Sequence, residues 1–262
     1  MVVPQVRLAC GTSLRGGDVR HGAYDPTVRG VIFDLDGVLV DSEPNYFAAE
    51  RRLLADHGVD FTVEMKRPYI GMSTREVIVD LVRRFGLPEP VDVLIERKNA
   101  HYLELASRAT TVYPQTSRLL TLLHERGYPV ALASGSSPEV IEVVLNAAGL
   151  RKLFNVVVSA DAVPRGKPAP DLFLAAANQL GVPPEGCVVL EDSAPGVRAA
   201  LAAGMRCVAV PYLPDDPLDP VYRSADLLIP YGMSGFRAEE VFDWLTTRGG
   251  QGDRPHDDRP QA

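Results

Sequence analysis

The sequence predicts an α/β protein built on a parallel β-sheet, with an all-helical module inserted into it. Short apolar segments alternate with amphipathic segments of helical period, as they do in βαβ units. Residues 44–111 interrupt that alternation with helical patterns alone. The composition, 46% hydrophobic and 23% charged over 262 residues, is that of an ordinary globular protein and excludes a disordered or fibrous chain.

The predicted strands are short apolar segments bounded by glycine, proline or polar residues. The first is residues 30–35 (GVIFDL), whose nearly continuous apolar character suits a strand that is buried on both faces. Similar segments follow at residues 130–134, 156–159, 187–190, 207–210 and 226–229.

Helical patterns separate most of these strands. Apolar residues from Val140 to Leu145 recur at helical spacing, and Gly149 stands where a helix-ending glycine is expected. Residues 171–180 and 196–203 behave in the same way. Strands that alternate with helices of this length predict crossover connections and a buried parallel sheet.

The inserted segment predicts three helices and no strand. Their apolar positions lie within residues 46–54, 77–85 and 91–107. Because the insert follows the first strand almost directly, it leaves the sheet beside the end of that strand. A module in this place suits a lid over a site.

These patterns divide the chain into a core domain of residues 30–43 and 112–247 and a helical cap domain of residues 44–111. Residues 1–29 show no sustained period, and we expect a flexible N-terminal extension, with an organellar presequence as the alternative. Residues 248–262 are polar with Gly and Pro throughout, and we expect a disordered tail.

Composition and charge exclude several classes of protein. Three scattered cysteines without a CxxC pair argue against a disulfide framework and a structural zinc site. The net charge of −7 argues against a nucleic-acid partner, and the apolar segments are too short for a transmembrane helix. We therefore expect a soluble, cytoplasmic protein, a monomer or weak homodimer, that binds no membrane.

Two carboxylates end the first predicted strand. Asp34 and Asp36 stand at i and i+2 at its carboxyl end, where open α/β sheets bind their ligands. Acids so close repel each other unless a cation or a shared proton offsets the repulsion. The pattern alone leaves two alternatives: a turn that merely ends the strand, and the DxD of sugar-nucleotide glycosyltransferases.

Three further motifs carry polar residues near predicted strand ends. In ASGSS, the Ser134 hydroxyl and the Gly135 amide precede a helix and suit an anion, with a plain helix cap as the alternative. In GKPAPD, Lys167 suits phosphate oxygens, although a loop lysine is usually only solvated. In LEDS, Glu191 and Asp192 can complete an oxygen cage for Mg²⁺, with helix capping by Asp192 as the alternative.

In this order and at these positions, the four motifs resemble those of the haloacid dehalogenase superfamily. DLDGVLVDSEP is similar to its first motif, ASGSS to its second, GKPAPD to its third and LEDSAPG to its fourth, and the resemblance covers residues 30–247. It implies a Rossmann-like parallel-sheet core with an inserted helical cap, as in the subfamily that includes β-phosphoglucomutase and small sugar phosphatases.

The resemblance implies a role for each matched residue. Asp34 is expected to be the nucleophile that becomes an aspartyl phosphate, and Asp36 the general acid and base. Ser134, helped by the Gly135 amide, is expected to bind a phosphate oxygen, and Lys167 to neutralise the transferring charge.

The resemblance also implies Mg²⁺, and no other cofactor. Its expected ligands are Asp34, the main-chain carbonyl of Asp36 and Asp192, with Glu191 beside them.

The helical insert is expected to select the substrate. Thr74 and Arg75 lie in a stretch similar to the cap loop that reads the leaving group; the alternative is that Ser73 or Thr74 caps the next helix and Arg75 is solvated. Lys98 stands in a stretch similar to one of β-phosphoglucomutase whose lysine meets the second phosphate of the sugar, although such a lysine is more often an ordinary exposed helix residue.

The implied activity is that of a Mg²⁺-dependent phosphoric monoester hydrolase whose partner is a small phosphorylated metabolite, most simply a sugar or polyol phosphate. A β-phosphoglucomutase-like mutase is the main alternative. Two departures argue against it: Thr74 intervenes before the arginine of the cap loop, and Ser137 and Pro138 replace the mutase's lysine and asparagine. A pyrophosphatase, a phosphoglycolate-type or nucleotide phosphatase, and a binding module without turnover are further alternatives.

Overall fold

A computed structural model describes residues 28–214 and 218–247, and its centre is a six-stranded parallel sheet. The strands are β1 (Gly30–Phe33), β2 (Val40–Asp41), β3 (Thr111–Val112), β4 (Val130–Ser134), β5 (Val156–Ser159), β6 (Cys187–Glu191), β7 (Arg206–Ala209) and β8 (Leu227–Leu228). The sheet has the order β5–β4–β1–β6–β7–β8. The predicted α/β class is confirmed, and each of the six predicted strands is present within one or two residues of its expected bounds.

Four helices occupy the segment between β2 and β3. They are α1 (Glu43–Ala55), α2 (Val63–Lys66), α3 (Thr74–Phe85) and α4 (Val91–Arg108). The sequence predicts three of them; the one-turn α2 is too short to produce a periodic pattern. A cluster of buried apolar side chains that includes Leu54, Phe61 and Leu81 lies wholly within this segment. Its separate core supports the predicted cap domain of residues 44–111, which stays a prediction.

The helices of the remaining chain cover both faces of the sheet. They are α5 (Pro114–Glu125), α6 (Pro138–Ala147), α7 (Asp171–Leu180), α8 (Ala194–Ala202), α9 (Gly232–Gly235) and α10 (Ala238–Thr246). Successive residues of a strand face opposite sides. Val31 and Phe33 of β1 accordingly join one buried cluster with side chains of α5, α6 and α10, whereas Ile32 joins a second cluster with side chains of α7 and α8.

A short antiparallel ribbon joins the sheet to the helical segment. β2 pairs with β3, so that Val40 lies opposite Val112 where the chain leaves for the helices and returns from them. Asn45 Nδ2 donates to the carbonyl oxygen of Ala109 at 2.8 Å and ties the first helix of the segment to the end of its last. The sequence analysis missed this ribbon because two residues per strand are too few to show an alternating pattern.

Some predictions fall on parts of the chain that the structure does not describe. The flexible N-terminal extension lies, apart from its last two residues, outside the described residues, and the disordered tail lies wholly outside them. Among residues 28–214 and 218–247, no helix combines the length and apolar character needed to cross a membrane.

Candidate active site

Three of the four motifs meet because of the strand order. β1 lies between β4 and β6 and runs parallel to both, so the carboxyl ends of the three strands are neighbours. Asp34 directly follows β1, Ser134 ends β4 and Glu191 ends β6. The side chains of all three residues are buried. This edge of the sheet is therefore the place where the predicted site residues gather.

Lys167 brings the remaining motif to the same point. It reaches from the loop before α7, and its Nζ lies 2.6 Å from Asp34 Oδ1 and also contacts Glu191 Oε1. Burial lowers the pKa of the Lys167 ammonium, but the two carboxylates outweigh burial and hold that pKa above its ordinary value. The predicted alternative, a merely solvated loop lysine, is wrong for this residue.

Three carboxylates converge around that ammonium. Asp34, Glu191 and Asp192 each offer an oxygen, and these oxygens lie within 4.8 Å of one another. Burial raises the pKa of Asp34 to about 7, with Lys167 opposing the rise and Glu191 adding to it. Burial and the charge of Glu191 likewise raise the pKa of Asp192. A single ammonium does not balance three acids, and a further cation would relieve their repulsion.

The donor set fits magnesium. Carboxylate and carbonyl oxygens are the hard ligands that Mg²⁺ prefers, and it binds through one or two carboxylates together with water and phosphate. Within the cluster, Glu191 already has a partner for each oxygen: Lys167 contacts Oε1, while the Ser193 amide donates to Oε2 at 2.7 Å and the Ser193 hydroxyl at 3.0 Å. Asp34 and Asp192 are therefore better placed as direct ligands than Glu191.

Two glycines let the acidic groups pack so closely. Gly37 has a left-handed φ of 75°, and a Cβ there would overlap the carboxylate of Asp192. Gly196, in the first turn of α8, lies against the carboxylate of Glu191, and a Cβ there would overlap it as well. Sequence reasoning did not single out either glycine as part of the site.

Ser134 lies on the opposite side of Asp34 from the acidic cluster, because β4 and β6 flank β1. Its hydroxyl accepts a hydrogen bond from the main-chain N–H of Ser136 at 3.1 Å. That bond leaves the hydroxyl hydrogen to donate elsewhere. Gly135 is exposed at the start of the turn that leads into α6.

One carboxylate oxygen of Asp36 has a hydrogen-bond partner and the other has none within the described residues. Ser136 Oγ donates to Asp36 Oδ2 at 3.1 Å, and the Tyr46 hydroxyl lies 3.3 Å from Ser136 Oγ. Asp36 Oδ1 is buried and has no hydrogen-bond partner within the described part of the chain. The sequence analysis named neither Ser136 nor Tyr46 as a site residue, although Ser136 stands inside the ASGSS motif.

Lys98 is buried, so the alternative of an ordinary exposed helix residue is wrong. Only 2% of it is accessible, and its Nζ lies 4.1 Å from the ring centroid of Tyr46 and 3.2 Å from Thr74 Oγ1. Burial lowers the pKa of the Lys98 ammonium to about 8, while the charge of Glu50 opposes the shift. The structure therefore brings two predicted substrate-binding residues, Thr74 and Lys98, into contact with each other.

Arg75 occupies a different environment. Its guanidinium lies against Asp92 at the surface, and 64% of its side chain is exposed. The preceding Ser73 caps α3 in a reciprocal arrangement with Glu76, in which the Ser73 side chain accepts from the Glu76 amide and Glu76 accepts from the Ser73 amide. The capping role proposed for Ser73 as an alternative is confirmed. The role of Arg75 in substrate binding stays a prediction.

A buried ion-pair network beside Lys98 was not predicted. Lys66 Nζ lies 2.9 Å from Glu50 and 3.4 Å from Glu43. Lys66 and Glu50 are both buried. Charged residues in helices are usually solvated, so the sequence carried no signal for this network.

Comparison with known proteins places the chain among hydrolases. A family model described as haloacid dehalogenase-like hydrolase matches residues 28–204. The probable pseudouridine-5′-phosphatase of Drosophila melanogaster is 37% identical over 188 residues, which cover 69% of this chain and 80% of that protein. Hexitol phosphatase B of Escherichia coli K12 is 36% identical over 199 residues, which cover 75% of this chain and 89% of that protein.

A solved structure is similar over most of the described fold. The crystal structure of a putative β-phosphoglucomutase from Thermotoga maritima superimposes with a TM-score of 0.67 at 29% identity, covering 83% of this chain and 98% of that one.

Proposed function

The chain belongs to the haloacid dehalogenase-like hydrolases, and from that membership we propose that it is a Mg²⁺-dependent phosphatase of small sugar or polyol phosphates. One observation carries the proposal: Asp34, Ser134, Lys167 and Asp192 meet at a single edge of the sheet, with Asp36 beside them. Phosphoryl transfer asks mainly for alignment and charge neutralisation, and this set of groups supplies both.

Asp34 is the proposed nucleophile. A carboxylate oxygen of Asp34 attacks phosphorus, the bond from phosphorus to the ester oxygen breaks, and an aspartyl phosphate forms. Water then attacks the same phosphorus, which releases inorganic phosphate and restores the carboxylate. Covalent catalysis of this kind replaces one difficult displacement with two easier ones.

Asp36 is the proposed general acid and base. In the first step it gives a proton to the departing ester oxygen, and in the second it takes a proton from the attacking water. Its Oδ1, which has no hydrogen-bond partner among the described residues, is the oxygen proposed for both transfers.

Ser134, Gly135 and Lys167 are proposed to bind the phosphoryl oxygens. The Ser134 hydroxyl and the Gly135 amide are donors beside Asp34, and the Lys167 ammonium is a compact charge on its other side. Donors fixed in advance stabilise charge without reorganising during the reaction.

Asp34, Asp192 and the main-chain carbonyl of Asp36 would hold Mg²⁺, with Glu191 beside them orienting Lys167. When bound, the ion would supply positive charge that aligns the phosphoryl group and neutralises its oxygens.

The substrate class is inferred from the relatives and from the helical segment. The curated relatives described above are named for a nucleoside monophosphate and for hexitol phosphates. Thr74 and Lys98 are proposed to contact hydroxyl or phosphate groups of the leaving alcohol, with Arg75 at the edge of the same region. Polar contacts of this kind suit a hydroxyl-rich alcohol.

The test is a substrate panel with Mg²⁺ and with EDTA. Sorbitol 6-phosphate, fructose 1-phosphate, glucose 6-phosphate and β-glucose 1-phosphate are incubated with the full chain, and free phosphate and glucose 6-phosphate are both followed. We expect Mg²⁺-dependent release of phosphate. Conversion of β-glucose 1-phosphate to glucose 6-phosphate without phosphate release, primed by a bisphosphate, would identify a mutase instead.

Two matched variants separate an enzyme from a contaminant. Asp34→Asn removes the proposed nucleophile and is expected to abolish phosphate release. Asp60→Asn makes the same chemical change at a side chain that is 84% exposed, and it is expected to leave the rate unchanged. Equal rates in both variants would contradict the assignment of Asp34.

A further inference from the structure

We propose that Ser136 and Tyr46 are positioning residues for Asp36. This inference rests on the proposed function, because it concerns how the carboxyl group of Asp36, the proposed acid and base of that reaction, is oriented. Three atoms carry it: Asp36 Oδ2 accepts from Ser136 Oγ at 3.1 Å, and the Tyr46 hydroxyl lies 3.3 Å from the same Ser136 oxygen.

The direction of these hydrogen bonds follows from counting hydrogens. A serine hydroxyl has one hydrogen, and Ser136 donates it to Asp36. While Asp36 is ionised, Tyr46 is then the donor in its bond with Ser136. The chain of donors runs from Tyr46 through Ser136 to Oδ2 and fixes that side of the carboxylate, whereas Oδ1 has no hydrogen-bond partner within the described part of the chain.

The ring of Tyr46 is held in place by its neighbours. It stacks on the ring of Tyr102, with centroids 4.2 Å apart and an angle of 20° between the planes. The Lys98 ammonium lies 4.1 Å from the Tyr46 centroid. A ring packed between these neighbours cannot swing its hydroxyl away from Ser136 without breaking both contacts.

The contact also joins two parts of the fold. Tyr46 lies in α1 of the helical segment, whereas Ser136 follows β4 of the sheet. The Tyr46 part of this chain therefore exists only while the helical segment lies against the sheet, and a substrate group that contacts Lys98 would lie next to Tyr46.

Tyr46→Phe is the principal test, because it keeps the ring and its packing and removes only the donor. Two esters are compared with Mg²⁺ present: p-nitrophenyl phosphate, whose leaving group departs without a proton, and whichever of sorbitol 6-phosphate and fructose 1-phosphate is hydrolysed faster. We expect kcat for the sugar or polyol ester to fall roughly tenfold, the effect of losing one hydrogen bond, with little change in its KM. The pre-steady-state burst of p-nitrophenol should be nearly unchanged in rate, because it reports the first step alone, in which this leaving group needs no proton. The second step, in which Asp36 acts as base, is common to both esters and is not part of this comparison.

Ser136→Ala should produce the same selective loss, to a greater extent because it removes the group that contacts Asp36. The double variant Tyr46→Phe/Ser136→Ala should be no slower than Ser136→Ala alone, since Tyr46 acts through Ser136. Tyr69→Phe is the matched control: it removes a tyrosine hydroxyl that donates to Asp80 at 2.7 Å in the same helical segment, and the ratio of the two ester rates should stay at the wild-type value.

The outcomes are distinct. If the wild-type chain hydrolyses neither the sugar nor the polyol ester, the proposed function fails. If the wild type is active and Tyr46→Phe slows both kinds of ester equally, or slows neither, the proposed function stands and the positioning role is overturned.

Discussion

Gly196→Ala provides a test of how tightly the site is packed. In most helices this substitution is favourable, because alanine is the better helix former by about 1 kcal/mol. Here the new methyl group would overlap the carboxylate of Glu191, which is fully buried. Glu191 must then move, and in moving it gives up its contact with Lys167 and the two hydrogen bonds from Ser193.

The expected magnitude follows from those losses. Breaking a buried pair so that a charge is left without its partner costs about 3–5 kcal/mol, and the helix propensity of alanine offsets about 1 kcal/mol of that. The net loss in unfolding free energy is therefore about 2–4 kcal/mol. For a chain of this size, that loss lowers the melting temperature by roughly 4–16 °C.

The assay is urea unfolding followed by circular dichroism, arranged as a double-mutant cycle. In the Glu191→Ala background the overlap is absent, so Gly196→Ala should be neutral or stabilising by up to about 1 kcal/mol. Gly166→Ala is the control, because a Cβ there meets nothing within 4 Å. If Gly196→Ala destabilises the protein equally in both backgrounds, the overlap with Glu191 is not the cause and the reasoning is refuted.

Three further predictions concern single charged residues. Lys98→Met should raise the unfolding free energy by about 1–3 kcal/mol at pH 7, because burial lowers the pKa of the ammonium to about 8. Between pH 8 and the ordinary lysine pKa, the unfolded chain binds more protons than the folded chain, so the wild type gains stability as the pH rises through that range. The difference in unfolding free energy between the wild type and Lys98→Met should therefore shrink, and a pH-independent difference in urea titrations would contradict this. Asp36→Ala should lower kcat for sugar or polyol phosphates at least about 10²-fold, and near-normal steady-state rates would sink its role as acid and base. Lys66→Met leaves the buried Glu50 carboxylate without its ammonium and should cost about 3–5 kcal/mol in urea unfolding; a change below about 1 kcal/mol would show that the pair contributes little.

The sequence predicted which polar residues meet at the sheet edge, while their chemical roles stay a prediction. Asp34, Ser134, Lys167 and Asp192 could be found because each stands at a fixed offset from a segment whose structure is local: a short apolar strand, or a helix that begins with polar residues. In a parallel sheet the carboxyl ends of strands share one edge, so assigning these segments to strands already predicted that the motifs would converge.

The helical segment was predicted less completely. Its three long helices show periodic apolar positions, whereas α2 and the ribbon of β2 and β3 are too short to do so. The burial of its charged residues was not predicted: an exposed Lys98 stood as the alternative to substrate binding, and the buried pair of Lys66 and Glu50 was not expected. The sequence of one helix does not show which of its lysines will be buried where another helix packs against it.

The positioning of Asp36 depends on the tertiary structure entirely. Tyr46 and Ser136 are separated by 90 residues, and neither has a local pattern that distinguishes it from a core aromatic residue or a helix cap. Their contact exists because α1 packs on α4 beside the end of β4.

The amino-acid sequence by itself determined the longer elements, the family and the polar residues at the ends of the strands, since these depend on the order of residues along short segments. Only the tertiary structure decided which charges are buried, which oxygen of Asp36 is free, and which glycines must lack a side chain. Those properties depend on atoms contributed by distant parts of the chain, because burial and close contact arise only where separate helices and strands pack together.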